Sequence, residues 1–234
     1  MAQAKAQRRT LFNKSSIVSQ AEGAATMDRR TFNLIIGGLL VFGFGVLALS
    51  SWLALQPSMQ ALISRNELAI GVGSLVLSIG GMILIGVGTS KKSVGLMLTG
   101  YVVFTLAFGA TSSIWLPHYG IDTITNALVT TAGISLVFTA LGAMFPDLFK
   151  KLMPVAMVTL LVVLAASVVM MFFGGSPTWI DYVTVAVFSI FIAYDTHQAA
   201  IIEPNMFNAI MAATSIFLDI VNIFLALLDI FDNR

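Results

Sequence analysis

The chain has 234 residues, of which 58% are apolar and only 10% charged, against about 25% charged in an ordinary soluble domain. Folding that much apolar surface into one water-soluble core would leave no wettable exterior, so lipid is the expected solvent for much of it. A net charge of +1 and the absence of cysteine exclude a global field for nucleic acid or acidic partners, disulfides, thiol catalysis and Cys-ligated metal.

Residues 1–27 are polar and carry Lys5, Arg8, Arg9 and Lys14, with no acid before Glu22. No apolar stretch follows the basic residues, so this is not a secretory signal. The expectation is a mobile cytoplasmic tail that can be deleted without loss of folding, followed by one membrane domain over residues 28–234. An organellar transit peptide is the alternative.

Seven apolar stretches follow, each near the roughly 20 residues that span the hydrocarbon. They cover residues 32–55, 68–88, 94–116, 124–145, 152–173, 179–196 and 207–228. The breaks between them carry Gln56-Pro57, Pro117, Pro146 and Gly174-Gly175. Backbone polar groups in lipid must be satisfied within the segment, and the runs are continuously apolar instead of alternating, so these are helices and not barrel strands. The predicted class is an all-α integral membrane protein. A spanning helix followed by a re-entrant one is an alternative for the last two segments.

Lys and Arg set the orientation. Lys5, Arg8, Arg9, Lys14, Arg29 and Arg30 precede the first helix, Lys91 and Lys92 follow the second, and Lys150 and Lys151 follow the fourth. The loop after the first helix has only Arg65, and those after the third and fifth have neither residue type. The N-terminus is therefore expected in the cytoplasm and the C-terminus outside. Gly71, Gly73, Gly80, Gly81, Gly86 and Gly88 in the second segment read as sites of close helix packing.

Ionisable groups inside apolar segments are costly, about 3 kcal/mol for a carboxylate at the centre of a helix, and such groups tend to serve a pathway or relay. Two lie well inside, Asp195 in the sixth helix and Asp219 in the seventh. Counting from the link at Glu203-Pro204-Asn205 leaves Asp219 several residues deeper than Asp195, so contact requires tilt or unequal helix ends. Two separate acids are the alternative. In contact, the carboxylates could not easily both ionise and would titrate as a unit. Fully ionised, with added carbonyls or water, they would form a weak site for a hard cation such as Ca²⁺. His197 reads as a surface histidine, and Asn222 and Asn33 as interhelical hydrogen-bonding groups. Asp181, Asp229 and Asp232 lie near the outer helix ends, solvated or gathering cations at an outer mouth. With no Ser/His/Asp set, phosphate loop or dinucleotide fingerprint, and with His118 and His197 in different loops, the chain is not expected to be an enzyme.

The stretch Ala193-Tyr194-Asp195-Thr196-His197-Gln198 resembles the Tyr-Asp-Thr-Gln signature of the Bax inhibitor-1 (transmembrane Bax-inhibitor-motif) family. Ser215 to Leu225, with Ile216-Phe217-Leu218-Asp219-Ile220-Val221-Asn222 at its heart, is similar to that family's last helix, and Leu227-Leu228-Asp229-Ile230-Phe231 to its close. Thr131-Ala132-Gly133 and Asp147-Leu148 suit its fourth helix and the loop beyond. The resemblance implies seven helices with the last one central, and it makes Asp195 and Asp219, 24 residues apart, a proton-sensing pair. It further implies a pH-dependent Ca²⁺ leak in which Ca²⁺ is the permeant ion and no cofactor is tightly bound.

Three positions depart from the family pattern. The arginine that latches the pair in some members falls near Thr89, with Lys91 and Lys92 close by as possible accessories. His197 replaces a neutral residue, and so adds a possible second titrating group, and Asp229 stands where arginine is common. The expected function is a pH-sensitive Ca²⁺ leak channel in a bacterial inner membrane. The alternative is a non-transporting regulator that binds a membrane-bound AAA protease or other membrane proteins.

Overall fold

The structure is a computed structural model that describes residues 25–173 and 178–232. Most of the expected tail, residues 1–24, lies outside them. Among the described residues seven helices are long and apolar enough to cross a membrane. These are α1 (Arg29–Ala54), α2 (Pro57–Ser90), α3 (Val94–Trp115), α4 (Ile121–Met144), α5 (Pro146–Phe173), α6 (Trp179–Ile201) and α7 (Met206–Asp232), with a short 3₁₀ turn, Leu116–His118, after α3.

Three helices run past the apolar stretches that announce them. α2 starts at Pro57 instead of residue 68, because proline fits the first turn of a helix and Gln56 is extended before it. Its first turns carry Ser58, Gln60, Ser64, Arg65 and Asn66, which hydropathy alone reads as loop. The helix kinks at Asn66 (φ −125°, ψ 20°), where the side-chain amide donates to the Leu62 carbonyl at 2.9 Å. α5 likewise begins at Pro146 and carries Asp147, Lys150 and Lys151 within it. α6 continues to Ile201, which moves His197 from the expected loop into a helix.

α7 is the axis of the bundle. Of its most apolar stretch 61% is buried, against 39% or less in the other six helices. It packs against α6, α1, α4 and α3, while α5 leans on α6 and α4 from outside and α2 lies chiefly on α3. Phe217 fills the centre, its ring 5.0 Å from Phe44, 6.0 Å from Phe104 and 6.2 Å from Phe108 between centroids. The large apolar side chains on the outer faces, among them Leu75, Val76, Ile83, Leu136, Val158 and Leu161, are exposed. They form the surface that lipid covers.

Only some of the α2 glycines serve packing. A Cβ on Gly81 would stand 2.7 Å from the Gly100 carbonyl oxygen, and one on Gly100 would stand 2.6 Å from that of Gly81. This reciprocal approach lets α2 and α3 lie backbone to backbone. Gly73, Gly80 and Gly86 meet nothing within 4 Å.

The chain enters α1 through a capping aspartate. Asp28 is extended (φ −67°, ψ 151°), and its carboxylate accepts from the Thr31 amide at 2.9 Å and the Thr31 hydroxyl at 2.7 Å. These bonds, the hydroxyl's foremost, hold the Asp28 carboxyl below its ordinary range. A depressed carboxyl contributes stability above its unfolded pKa and loses it as pH falls through the folded value. Asp28→Ala is therefore expected to lower the melting temperature at neutral pH. The difference from the unsubstituted protein should vanish in acid, below the ordinary carboxylate range, as followed by thermal unfolding in detergent. A difference that persisted unchanged in acid would show that the cap does not work through its charge.

Candidate functional site

Asp195 lies near the C-terminal end of α6 and Asp219 lies midway along α7. Their carboxyl groups are within hydrogen-bonding reach of each other. Side-chain direction narrows the separation in depth that residue counting leaves. Cα–Cβ bonds tilt toward the N-terminus of their helix. In this antiparallel hairpin Asp195 therefore leans into the membrane, and Asp219 leans back toward the link.

The link fixes the hairpin's geometry. Asn205 caps α7, its side-chain oxygen accepting from the Asn208 amide at 2.9 Å, and the Asn208 side chain donates to the Glu203 carbonyl at 2.8 Å. From the other direction Arg29 of α1 donates to the carbonyls of Ala199 at 3.0 Å and Ile202 at 2.7 Å, and its guanidinium lies over the Phe32 ring at 5.1 Å. The Met27 amide donates to the Pro204 carbonyl at 2.9 Å, and Thr26 pairs with Asn205. The start of the membrane domain thus straps the hairpin that carries the two acids.

Asp219 is only 4% exposed, and one oxygen of its carboxyl group is buried with no hydrogen-bond partner. Asp195 is half-buried, and the Ser215 hydroxyl is near enough to act on its carboxyl group. Ser215 stands four residues before Asp219, on the same face of α7. Two carboxyl groups in contact cannot both carry a charge in so poor a solvent unless something positive lies between them. The pair can therefore hold a shared proton or a cation. Among the described residues no group of three or more His, Asp or Glu side chains gathers in a way that could hold a metal ion, so a cation at the pair would need carbonyls or water to complete its shell.

A groove of about 360 Å³ lies between α2 and α7, beside the stretch of α7 that carries Ser215. It is lined by Met82, Ile85, Gly86 and Thr89 of α2 and by Met211, Thr214, Ser215 and Leu218 of α7. Ser215 is thus both a wall of the groove and a neighbour of the Asp195 carboxyl group.

The other sequence candidates stand elsewhere. Lys91 and Lys92 are exposed at the α2–α3 turn. Thr89 donates to the Ile85 carbonyl at 3.0 Å, and its hydroxyl lies 3.6 Å from the sulfur of Met97 and 3.9 Å from that of Met211. Asn222 bonds within its own helix, to the Leu218 carbonyl at 2.7 Å, and Asn33 is exposed. His197 is half-buried in α6, two residues and so roughly 200° round the helix from Asp195. Ser215 and Arg29 were not singled out as site residues from sequence. The only sequence signal for Ser215 was its four-residue spacing from Asp219, and Arg29 had been counted solely for its charge.

Comparison with known proteins places the chain in a family. The family model described as inhibitor of apoptosis-promoting Bax1 matches residues 24–234. The inner membrane protein YbhL of Escherichia coli strain K12 is 25% identical over 232 residues, covering 94% of this chain and 96% of its own. An uncharacterized membrane protein of Streptococcus pyogenes serotype M6 is 26% identical over 209 residues, covering 85% and 91%. With seven apolar helices and a family match over nearly its whole length, the chain is an integral membrane protein that belongs to the Bax inhibitor-1 family.

Proposed function

We propose that the protein is a pH-sensitive cation leak channel, with Ca²⁺ as its permeant ion and the Asp195–Asp219 pair as its proton sensor. The observation that carries this reading is the contact between the two carboxyl groups, with one oxygen of Asp219 buried and unpartnered. Such a pair is held together by a proton in the closed state. Loss of the proton leaves two like charges that separate or recruit a cation. The groove lined by Thr89, Thr214 and Ser215 supplies hydroxyl groups along an approach to the pair. A bacterial inner-membrane location is supported by the likeness to YbhL of Escherichia coli. A cytoplasmic N-terminus is supported by Arg29, Arg30, Lys91, Lys92, Lys150 and Lys151, which seven spans bring to one end of the bundle.

The test is Ca²⁺ uptake by proteoliposomes that hold only this protein, between about pH 6 and 8. In the unsubstituted protein a single shared proton makes flux vary by at most about tenfold per pH unit. Asp195→Asn and Asp219→Asn each remove the like-charge neighbour and should each flatten the profile. The double variant should add little, because the two groups titrate as one. If both single variants keep the original profile, the pair is not the sensor. The reading as a non-transporting regulator that binds a protease or other membrane proteins would then replace this one.

A further inference from the structure

A groove on the flank of the bundle stands apart from the Asp195–Asp219 pair. α1 and α4 do not pack on each other, and each rests on α7 instead. The gap between them is a cavity of about 590 Å³. One wall is the stripe Phe44, Ala48, Ser51 and Leu55, which α1 presents at helical spacing. The other is Ile121, Ile124 and Leu128 of α4, and Phe224 of α7 lies on the floor. The link after α3 borders the end remote from Arg29 with Leu116, Pro117 and Tyr119. Tyr119 is fixed there by its hydroxyl, which donates to Asp229 at 2.5 Å. Trp115 supports it edge-on, 6.2 Å away between ring centroids.

The chemistry of the walls selects the occupant. Their two hydroxyl groups are already engaged, Ser51 with the Leu47 carbonyl at 2.8 Å and Tyr119 with Asp229. An apolar cavity of this kind stays dry and takes up apolar ligands. Its length fits hydrocarbon. From Phe44 to Leu55 α1 rises about 16 Å at 1.5 Å per residue, and one leaflet contributes about 15 Å to the apolar core of a bilayer. The inner end stops at Phe44, whose ring packs on Phe217, 5.0 Å away between centroids. Near the other end Trp52 also lines the groove, and tryptophan sits at the level of lipid headgroups. Leu55, Ile121 and Leu128 are exposed along the open side, so the groove is continuous with the surface that lipid covers.

We propose that this groove is a binding site for one acyl chain of a phospholipid, drawn from the leaflet at the end of the bundle remote from Arg29. The chain lies between α1 and α4 and restores the dispersion contacts that these helices do not make with each other. The lipid is a resident part of the bundle, distinct from the lipid that covers its convex faces. The site is independent of whether the protein conducts ions.

The experiment uses the full chain, reconstituted into vesicles of equal parts phosphatidylethanolamine and phosphatidylglycerol and extracted again in mild detergent. Intact-complex mass spectrometry then counts the phospholipid that stays bound. About one molecule per chain is expected, as for a single preformed site. Ala48→Trp and Leu128→Trp each fill the groove with an indole and should lower retention by about tenfold. Both positions are exposed, so neither substitution crowds the core. Leu136→Trp, at an exposed position of α4 outside the groove, should retain lipid as the unsubstituted protein does. The proposal is overturned if the unsubstituted protein keeps no phospholipid, if the two groove variants keep as much as it does, or if Leu136→Trp loses as much as they do. It is also overturned if the unsubstituted protein is a dimer that the groove variants dissociate, because a second copy would then be the occupant.

Discussion

Gly142→Ala is expected to destabilise the bundle by about 3 kcal/mol, the upper part of the usual cost of forcing atoms into a packed interior. A Cβ at this position would stand 2.1 Å from the Ala193 carbonyl oxygen and 2.9 Å from the Ala193 Cα. The obstacle is backbone of α6, not the end of a flexible side chain, so α4 and α6 would have to part. Ala193 lies two residues before Asp195, and the displacement would carry the aspartate with it. Gly133, on the same helix, has nothing within 4 Å of its Cβ position. Gly133→Ala should therefore be neutral or stabilise by up to about 1 kcal/mol through helix propensity. Thermal unfolding of the two variants in detergent separates the cases. Equal melting temperatures would mean that the α4–α6 contact yields freely and that glycine is not needed there.

The second large effect is expected at Arg29. Its two hydrogen bonds reach the carbonyls of Ala199 and Ile202, at the end of α6 where carbonyls lack helical partners and the helix dipole is negative. A hydrogen bond to a charged group contributes about 1.5–3 kcal/mol. Arg29→Met should thus lose about 3 kcal/mol once the partial exposure of the site is allowed for. Arg29→Lys should recover less than half of that, because one ammonium cannot match a planar fork that spans two carbonyls. Arg30 is exposed, and Arg30→Met should stay within about 0.5 kcal/mol of the unsubstituted protein. Denaturant unfolding of the three variants provides the comparison. If Arg29→Met and Arg30→Met behave alike, the strap across the α6–α7 link carries no stability.

The seven spans were legible because lipid demands long apolar runs and this chain contains little else. The ends of those runs were not, for a related reason. Hydropathy marks where the hydrocarbon ends, whereas a helix ends where its backbone bonds end. The polar first turns of α2 and α5 and the last turns of α6 fall between these two limits. The family resemblance and the cost of buried acids singled out Asp195 and Asp219, but residue counting left them at different depths, since a count carries neither side-chain direction nor helix tilt. Ser215 was missed because a serine in a membrane helix usually bonds to its own backbone, as Ser51 does to the Leu47 carbonyl. Tyr119 was missed because its partner Asp229 lies 110 residues away in the chain. Arg29 was counted as one more positive charge, although its geometry does more than its sign.

The place of α7 has a consequence for how the protein is made. Chains emerge and fold from the N-terminal side, at about 5–20 residues per second. The helix on which α1, α3, α4 and α6 close is the last of the seven to leave the ribosome. Until it arrives, α1, α3, α4 and α6 have no common surface to close on, and Phe44, Phe104 and Phe108 face a space that only Phe217 fills. Arg29 waits too, since the carbonyls it caps lie at the end of α6, the sixth helix to emerge. Assembly of this bundle therefore follows membrane insertion instead of accompanying it. A nascent chain stalled before Met206 should remain a set of loosely associated spans, open to lipid and to quality-control proteases.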